Sequence, residues 1–468
     1  MNYIKKISDK FRNRGEFRKV HFVGIGGAGL SAMARILHEM GYDVSGSDIK
    51  ESNNTKRLWK FGIDVKIGHD SKNVVGKDVL VISTAIPEDN CEVIAANELG
   101  INVYSRAKML EWISSHFRTI AISGTHGKTT TTSMIALLLE WSDLDPTIIV
   151  GGELNDIGSN AKYGKGEYCV VEADESDGTF LQIKPEVAVV TNVEDDHLDY
   201  YKNKEKIDKA FRQYINSVSA NGLAIINGDD PSILSMIDKI DRRYITYGLK
   251  EGNDVRAIDI KIDGFKSKFE AKLDGEQFPI KLKIPGEHNI YNALATISVG
   301  KYLGIPAEKI SFTLSQFVGA QRRFDVLDSP DKVTIIDDYA HHPTEISATL
   351  RAANNKKHNR LISVFQPHRY TRTNLLHDKF GNSFDYADLC LITRIFSAGE
   401  EPIPGVTSKL IVDSIIRSNY RKQIIYLPQK KDIINYLVKN VETDDIVVVM
   451  GAGDIYTVAY DLLKKLQV

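Results

Sequence analysis

Short apolar runs alternate with segments of helical period through most of the chain, a pattern that predicts parallel strands joined by crossover helices. Three of these runs end in glycine-rich or charged turns, and each opens a separate unit. Val20-His21-Phe22-Val23 leads into Gly24, Thr119-Ile120-Ala121-Ile122-Ser123 into Gly124, and Val333-Thr334-Ile335-Ile336 into Asp337-Asp338. The last unit carries further predicted strands at 361–365, 389–393, 423–427 and 446–450. Between Asn253 and Ile284 apolar and polar positions alternate, with Gly264 and Gly275 as turn signals. That stretch predicts antiparallel hairpins inserted in an otherwise parallel domain. The chain shows no repeat of fixed period and no low-complexity segment. The predicted class is α/β, with boundaries near Ser114 and Val318 that give domains 1–114, 115–318 and 319–468.

Composition narrows this picture. At 468 residues, 42% hydrophobic and 26% charged, the chain has the length and the apolar content for several buried cores. Its net charge of -2 offers no global field for nucleic acid or an anionic membrane, so an anionic ligand needs local features. The basic segment with Lys5, Lys6, Lys10, Arg12, Arg14, Arg18 and Lys19 has no apolar core after it and predicts a solvated arm rather than a signal peptide. No apolar run has membrane-spanning length. Cys91, Cys169 and Cys390 are far apart and odd in number, which argues against a disulfide framework and suits a reducing cytoplasm. Cys169 and Cys390 lie inside apolar runs and are expected in cores. The oligomeric expectation is a monomer or homodimer.

The chemistry begins at Gly124-Thr125-His126-Gly127-Lys128-Thr129-Thr130. Glycines there let several backbone N–H groups face one anion, and the helix that follows adds partial positive charge. Lys128 can reach outer phosphates and the Thr129 hydroxyl can ligate Mg2+. The usual phosphate loop would need glycine where Ile122 stands, so this is a shortened form. ATP is the expected occupant. Downstream, Glu172-Ala173-Asp174-Glu175-Ser176-Asp177 follows one apolar run, and Glu194-Asp195-Asp196-His197-Leu198-Asp199 follows another. Clustered oxygen ligands at successive strand ends beside a phosphate loop predict metal binding.

A second glycine loop, Gly24-Ile25-Gly26-Gly27-Ala28-Gly29, satisfies G-x-G-x-x-G after a strand and before a helical segment, with Asp48 after the next strand. Read alone it predicts a dinucleotide-binding domain, and the chain could be a dehydrogenase. That reading leaves the Gly124 loop idle, and no His-Arg-Asp set suited to hydride transfer accompanies it.

GTHGKTTT, EADESD, TNVEDDHLD, GEHNIYNALA and RRFD occur in this order, and together they resemble the Mur ligases of peptidoglycan synthesis over nearly the whole chain. Within that family DDYAHHPTE and QPHRYTRT resemble the branch that joins L-alanine to UDP-N-acetylmuramate. The resemblance implies three α/β domains: a Rossmann-like N-terminal domain for the UDP-sugar, a central P-loop domain for ATP and a Rossmann-like C-terminal domain. It implies that Lys128 and Thr129 handle the γ-phosphate and Mg2+, that Glu172 binds metal and that His197 binds a second Mg2+. It places His288, Asn289 and Asn292 on the adenine side of ATP, and Asp337 and Tyr339 near nucleotide and substrate. His341, Arg369 and Arg372 would face the reacting carboxylate or the incoming amino acid. The Gly24, Gly26, Gly27 and Gly29 loop would bind the UDP diphosphate, with Asp48, His69, Ser83 and Arg106 as neighbours. A sibling ligase that adds a preformed peptide to the same acceptor shares this architecture and remains the alternative.

Overall fold

The computed structural model describes residues 17–83, 85–154, 159–196, 198–320, 322–327, 333–418 and 422–467. Most of the basic N-terminal segment therefore lies outside the described residues, although Arg18 and Lys19 are present and exposed. Three sheets define three α/β domains. The first contains β1 (Lys19–Val23), β2 (Asp43–Asp48), β3 (Asp64–Ile67), β4 (Val79–Ile82) and β5 (Asn102–Ser105), in the order β3-β2-β1-β4-β5. All neighbours are parallel. The order reverses at β1, and a ligand crevice opens where strand order reverses in such a sheet. The Gly24 loop leaves β1 at that point. It leads into the helix Ala28–Glu39, whose Leu30, Met33, Ala34, Ile36 and Leu37 are buried.

The second sheet uses β6 (Arg118–Ser123), β7 (Thr147–Leu154), β8 (Ser159–Lys162), β9 (Tyr168–Glu172), β10 (Val187–Val190), β11 (Leu223–Asn227) and β12 (Tyr244–Gly248). They run β12-β11-β10-β6-β9-β7-β8, parallel except for the edge strand β8. The predicted hairpin region is β13 (Val255–Asp263), β14 (Lys266–Leu273) and β15 (Glu276–Leu282), which follow β12 in the strand order. Their turns fall at Gly264 and Gly275, both at positive φ (54° and 80°) where glycine has no Cβ penalty.

By packing, the chain forms two compact units. One holds everything up to Ala257 with Ala271–Phe278 and Tyr291–Leu314; the other holds Ile258–Glu270, Pro279–Ile290 and the chain from Ser315 onward. Inside the first unit the helix Ala28–Glu39 packs on β7 and β8. One continuous apolar cluster runs from Phe22, Leu30 and Met33 to Ile149, Ala161 and Val171. The first and second sheets therefore share a core.

The other unit carries β16 (Asp325–Leu327), β17 (Thr334–Asp338), β18 (Leu361–Phe365), β19 (Leu389–Ile392), β20 (Gln423–Tyr426) and β21 (Ile446–Met450), ordered β16-β17-β21-β18-β19-β20. Only β16 is antiparallel. The last strand is inserted between the first two parallel ones, an arrangement no local signal announces. Ile336, Val448 and Met450 face one apolar cluster and Ile335, Val447 and Val449 the other. Both faces are thus covered, which explains why these strands read as unbroken apolar runs. Cys169 and Cys390 are core residues as expected, and burial pushes their thiols up to about 12 and about 11.

Candidate active site

The phosphate loop follows β6, and Gly127 (φ 82°) caps the helix Lys128–Trp141 that continues it. Gly124 sits at φ +136°, and a Cβ there would lie 2.0 Å from Thr191 Oγ1. Only glycine fits. The segment leaving β10 laces the loop in place. The N–H groups of Thr125 and His126 donate to Asn192 O (3.0 Å) and Asn192 Oδ1 (2.9 Å), and Thr191 Oγ1 donates to His126 O (2.5 Å). Asn292, on the helix Glu287–Tyr302, accepts from Thr131 Oγ1 at 3.1 Å and lies 2.6 Å from the Cβ position of Gly127. Thr130 is buried behind the loop.

Lys128 is folded back over its own loop. Its Nζ donates to Gly124 O (2.6 Å), Thr125 O (3.2 Å) and Glu175 Oε1 (2.7 Å). Burial works against the ammonium, yet Glu175, Asp174 and Glu172 outweigh it and hold Lys128 above its ordinary value. Thr129 Oγ1 donates to Glu172 Oε1 at 3.1 Å, and Glu172 Oε2 accepts from Gly151 N at 2.9 Å. A hydroxyl and a carboxylate thus stand side by side beside the phosphate seat, a hard-oxygen donor set that fits Mg2+. His197, the other expected metal ligand, lies outside the described residues.

The Gly24 loop is held by the end of β2. Gly24 N and Ile25 N donate to Ser47 O (2.8 and 2.9 Å), and Gly26 N donates to Asp48 Oδ2 (2.8 Å). A Cβ on Gly26 would meet that same oxygen at 2.8 Å. Gly27 caps the helix Ala28–Glu39 with no side-chain cap, so its N-terminus is available as an anion seat. His69 Nδ1 lies 2.9 Å from Ser47 Oγ, and Ser83 Oγ accepts from Ala85 N at 3.4 Å, near Gly24. Arg106 stands against Gly29, 3.3 Å from its Cβ position, but its guanidinium is engaged elsewhere. Nη2 contacts Asp177 (3.0 Å), Asp174 (3.3 Å) and Thr179 (3.4 Å). Burial opposes the charge on Arg106, and the two aspartates more than restore it. The expected sugar-side arginine therefore reaches the carboxylate loop of the expected nucleotide site.

In the other unit, Asp337 and Asp338 end β17. Asp338 accepts from Phe324 N and Ala340 N, both at 2.7 Å. Asp337 is fully buried, neither of its carboxylate oxygens has a hydrogen-bond partner among the described residues, and Arg322 Nε is 3.4 Å away. Burial, reinforced by Asp338 and Asp325 and only partly offset by Arg322, pushes Asp337 up to about 7. The Arg322 guanidinium also lies over Tyr339 and Tyr456, at 5.1 and 4.5 Å from the ring centroids. His341 Nδ1 approaches Tyr339 O (3.0 Å) and Glu345 Oε2 (3.4 Å). Its ring lies 5.8 Å from His368, which stacks on Phe396 and meets Arg372 Nη1 at 3.2 Å. Burial, with Arg372 nearby, lowers His341 to about 3 and His368 to about 4, so both rings are neutral at neutral pH. Arg369 adopts φ +70°, a strained conformation for a residue with a side chain, pinned by its N–H bond to Phe396 O at 2.8 Å.

His341, Arg369, Arg372, Tyr339 and Asp337 thus share one end of the third sheet. Of the HNxxN residues, Asn292 reaches the phosphate loop, Asn289 Nδ2 donates to Pro285 O at 2.7 Å, and the His288 ring lies close to Gly286. The sequence reading gave no role to His368, Glu345, Arg322 or Glu92, and it named Glu175 only within the carboxylate cluster after β9. His368, Glu345 and Arg322 stand inside quoted motifs, and that placement was the available signal.

Three family models match the chain: "Mur ligase family, catalytic domain" over residues 19–118, "Mur ligase middle domain" over 122–300, and "Mur ligase, glutamate ligase domain" over 322–453. The UDP-N-acetylmuramate–L-alanine ligase of Desulforamulus reducens is 46% identical over 458 residues, covering 97% of this chain and 99% of that protein. The ligase of the same name from Pelotomaculum thermopropionicum is 45% identical, covering 96% and 98%. Among solved structures, UDP-N-acetylmuramate–alanine ligase from Thermotoga maritima superposes with a TM-score of 0.80 at 29% identity, over 96% of this chain and 99% of that one. A murein peptide ligase from Psychrobacter arcticus shares the fold, with a TM-score of 0.70 at 24% identity over 96% and 98%. With identity of this level over nearly its whole length, the chain belongs to the Mur ligase family.

Proposed function

We infer that this protein joins L-alanine to the lactyl carboxylate of UDP-N-acetylmuramate at the expense of ATP. The products are UDP-N-acetylmuramoyl-L-alanine, ADP and phosphate, and the step belongs to peptidoglycan synthesis. The observation that carries the reading is the full-length identity with alanine-adding ligases in a chain whose Lys128 and Thr129–Glu172 pair line a phosphate loop. The peptide-adding alternative shares the fold at lower identity, and none of the site residues described above favours it. No helix among the described residues is long and apolar enough to cross a membrane, and we place the reaction in the cytoplasm. We also propose the domain boundaries 114/115 and 318/319.

Amide formation in water is uphill, and a carboxylate oxygen is a poor leaving group until it carries phosphate. A lactyl carboxylate oxygen attacks the γ-phosphorus of ATP, the bond to ADP breaks, and an acyl phosphate results. Lys128 moves from Glu175 to the transferring phosphate and neutralises charge there. Mg2+, held by Thr129 and Glu172 with His197 for a second ion, would add charge neutralisation on the phosphates when bound. The alanine amine then attacks the acyl carbon, gives a tetrahedral oxyanion and expels phosphate. Arg369 and Arg372 supply positive charge for the oxyanion or the alanine carboxylate. The neutral His341 ring turns Nδ1–H to Tyr339 O and Glu345 Oε2, which leaves Nε2 as an acceptor for an N–H of the incoming amine. The Gly24 loop and the N-terminus of the helix Ala28–Glu39 seat the UDP diphosphate. Phosphate release measured with ATP and UDP-N-acetylmuramate against every amino acid tests the reading. L-Alanine should dominate, with weak use of glycine or L-serine, since one methylene or hydroxyl is worth only about 1–3 kcal/mol in such a pocket. Release with a muropeptide tripeptide but not with L-alanine would overturn it.

A further inference from the structure

Glu92 lies in the N-terminal domain on the helix Cys91–Glu98, and its side chain is completely buried. Ordinary structural roles do not require a carboxylate in such a place, because removing the charge from water costs several kcal/mol unless it is well paired. Here the pairing is dense. Oε2 accepts from Ser47 Oγ at 2.5 Å and faces His69 Nδ1 at 3.3 Å; Oε1 accepts from Asn73 Nδ2 at 2.6 Å and Asp70 N at 3.2 Å. His21 Nε2 stands 3.7 Å from Oε1. Burial alone would raise this acid, but the nearby His21 ring and the bonds from Ser47 and Asn73 prevail and hold it down at about 2. It is an anion with donors on every side.

Two of those partners belong to the UDP-sugar seat. Ser47 is the residue whose carbonyl receives Gly24 N and Ile25 N, so its placement sets the glycine loop. His69 is bonded to the same serine at 2.9 Å. The hydrogen-bond directions follow. Ser47 gives its only hydroxyl hydrogen to Glu92, which leaves its oxygen to accept from His69. Both groups facing His69 Nδ1 are then acceptors, so Nδ1 carries the proton. In the neutral ring Nε2 keeps the lone pair, and that buried atom has no partner among the described residues. An acceptor there suits an N–H or O–H of the nucleoside, such as the uracil imide or a ribose hydroxyl, and not a phosphate oxygen.

We propose that Glu92 is a positioning residue for the UDP-sugar: through Ser47 it fixes the glycine loop and holds His69 with Nε2 as an acceptor for the nucleoside. The inference rests on the reading of the Gly24 loop as the UDP-sugar site. Glu92→Gln keeps the shape but breaks the pattern, since either amide orientation sets its NH2 against two donors. Ser47→Ala removes the serine hydroxyl from both Glu92 and His69 while leaving Glu92 its bonds to Asp70 and Asn73 and its contact with His69 Nδ1, and its UDP-N-acetylmuramate affinity decides the matter if the first variant folds poorly.

The test measures UDP-N-acetylmuramate binding by calorimetry, KM and kcat for each substrate, and the 15N shifts of His69, assigned with His69→Gln. Both variants should weaken UDP-N-acetylmuramate by about tenfold, the cost of misplacing one or two hydrogen bonds. KM for ATP and kcat should stay put, and in Glu92→Gln the His69 signals should leave the Nδ1–H form that the unmodified protein shows. If His69→Ala weakens binding while Glu92→Gln and Ser47→Ala do not, the role of Glu92 is refuted and the site survives. An unmodified protein with Nε2 protonated and Nδ1 bare also refutes it. If His69→Ala and Gly26→Ala both bind UDP-N-acetylmuramate normally, the sugar site itself is misplaced, and this inference goes with it.

Discussion

Lys128 Nζ lies 2.7 Å from Glu175 Oε1 and 2.6 Å from the carbonyl oxygen of Gly124, so the ammonium is folded into the loop it must serve. In the proposed mechanism ATP draws it out, and the same side chain then neutralises the transferring phosphoryl group. Lys128→Ala should reduce ligation by about a thousandfold or more, the scale seen when a charge that stabilises phosphoryl transfer is lost. UDP-N-acetylmuramate binding, measured by calorimetry, should persist. Equal loss of both would argue that the two glycine loops do not form separate sites.

Gly124 tests the loop itself. At φ +136°, with Thr191 Oγ1 2.0 Å from the Cβ position, Gly124→Ala meets backbone strain and a collision at once. The expected cost is on the order of 1–3 kcal/mol of stability from the strained backbone alone. Urea unfolding should show it, and ADP binding should weaken in parallel. Full stability together with full ADP affinity would mean that the loop relaxes easily and that its glycine is not needed.

Thr129 and Glu172, 3.1 Å apart, are proposed to hold Mg2+. Thr129→Ala and Glu172→Gln should each raise the Mg2+ concentration for half-maximal rate by about tenfold, because hard-cation affinity follows the charge and number of oxygen ligands. The KM for L-alanine should change little. An unaltered Mg2+ dependence in both variants would move the metal elsewhere.

Asp337 predicts a dependence on pH. Its folded-state value, about 7, stands above the ordinary 3.8. Between those values the native state keeps a proton that the unfolded chain has released, so stability falls as pH rises. The contribution is complete below 3.8 and gone above about 7. At about 1.4 kcal/mol per pH unit the loss is on the order of a few kcal/mol. Asp337→Asn should therefore melt several degrees above the unmodified protein at pH 8 and level with it near pH 4. His341 and His368 shift downward and act in the opposite sense, but equally in both proteins. A difference that does not change with pH would show that Asp337 is ionised in the native state.

Strands and loops were legible because their signals are local. The runs before Gly24, Gly124 and Asp337 became β1, β6 and β17, each with its loop at the C-terminal end. The turns at Gly264 and Gly275 fell where alternation and glycine placed them. The pairings that were not legible join residues far apart in sequence. Glu92 meets Ser47 and His69 across 45 and 23 positions, and Glu175 meets Lys128 across 47. No periodicity encodes such pairs. Arg106 was expected beside the sugar, and it is beside Gly29, but its bonds to Asp174 and Asp177 appear only once the two domains share a core. The insertion of β21 between β17 and β18 was equally hidden, since strand order follows from tertiary packing rather than from any one segment.

The proposed reaction turns on activation of the sugar's carboxylate by ATP before L-alanine attacks. UDP-N-acetylmuramate labelled with 18O in its lactyl carboxylate, incubated with enzyme, ATP and L-alanine, tests it directly by mass spectrometry of the released phosphate. One labelled oxygen should appear in phosphate for each UDP-N-acetylmuramoyl-L-alanine formed. Product formation accompanied by unlabelled phosphate would contradict the account.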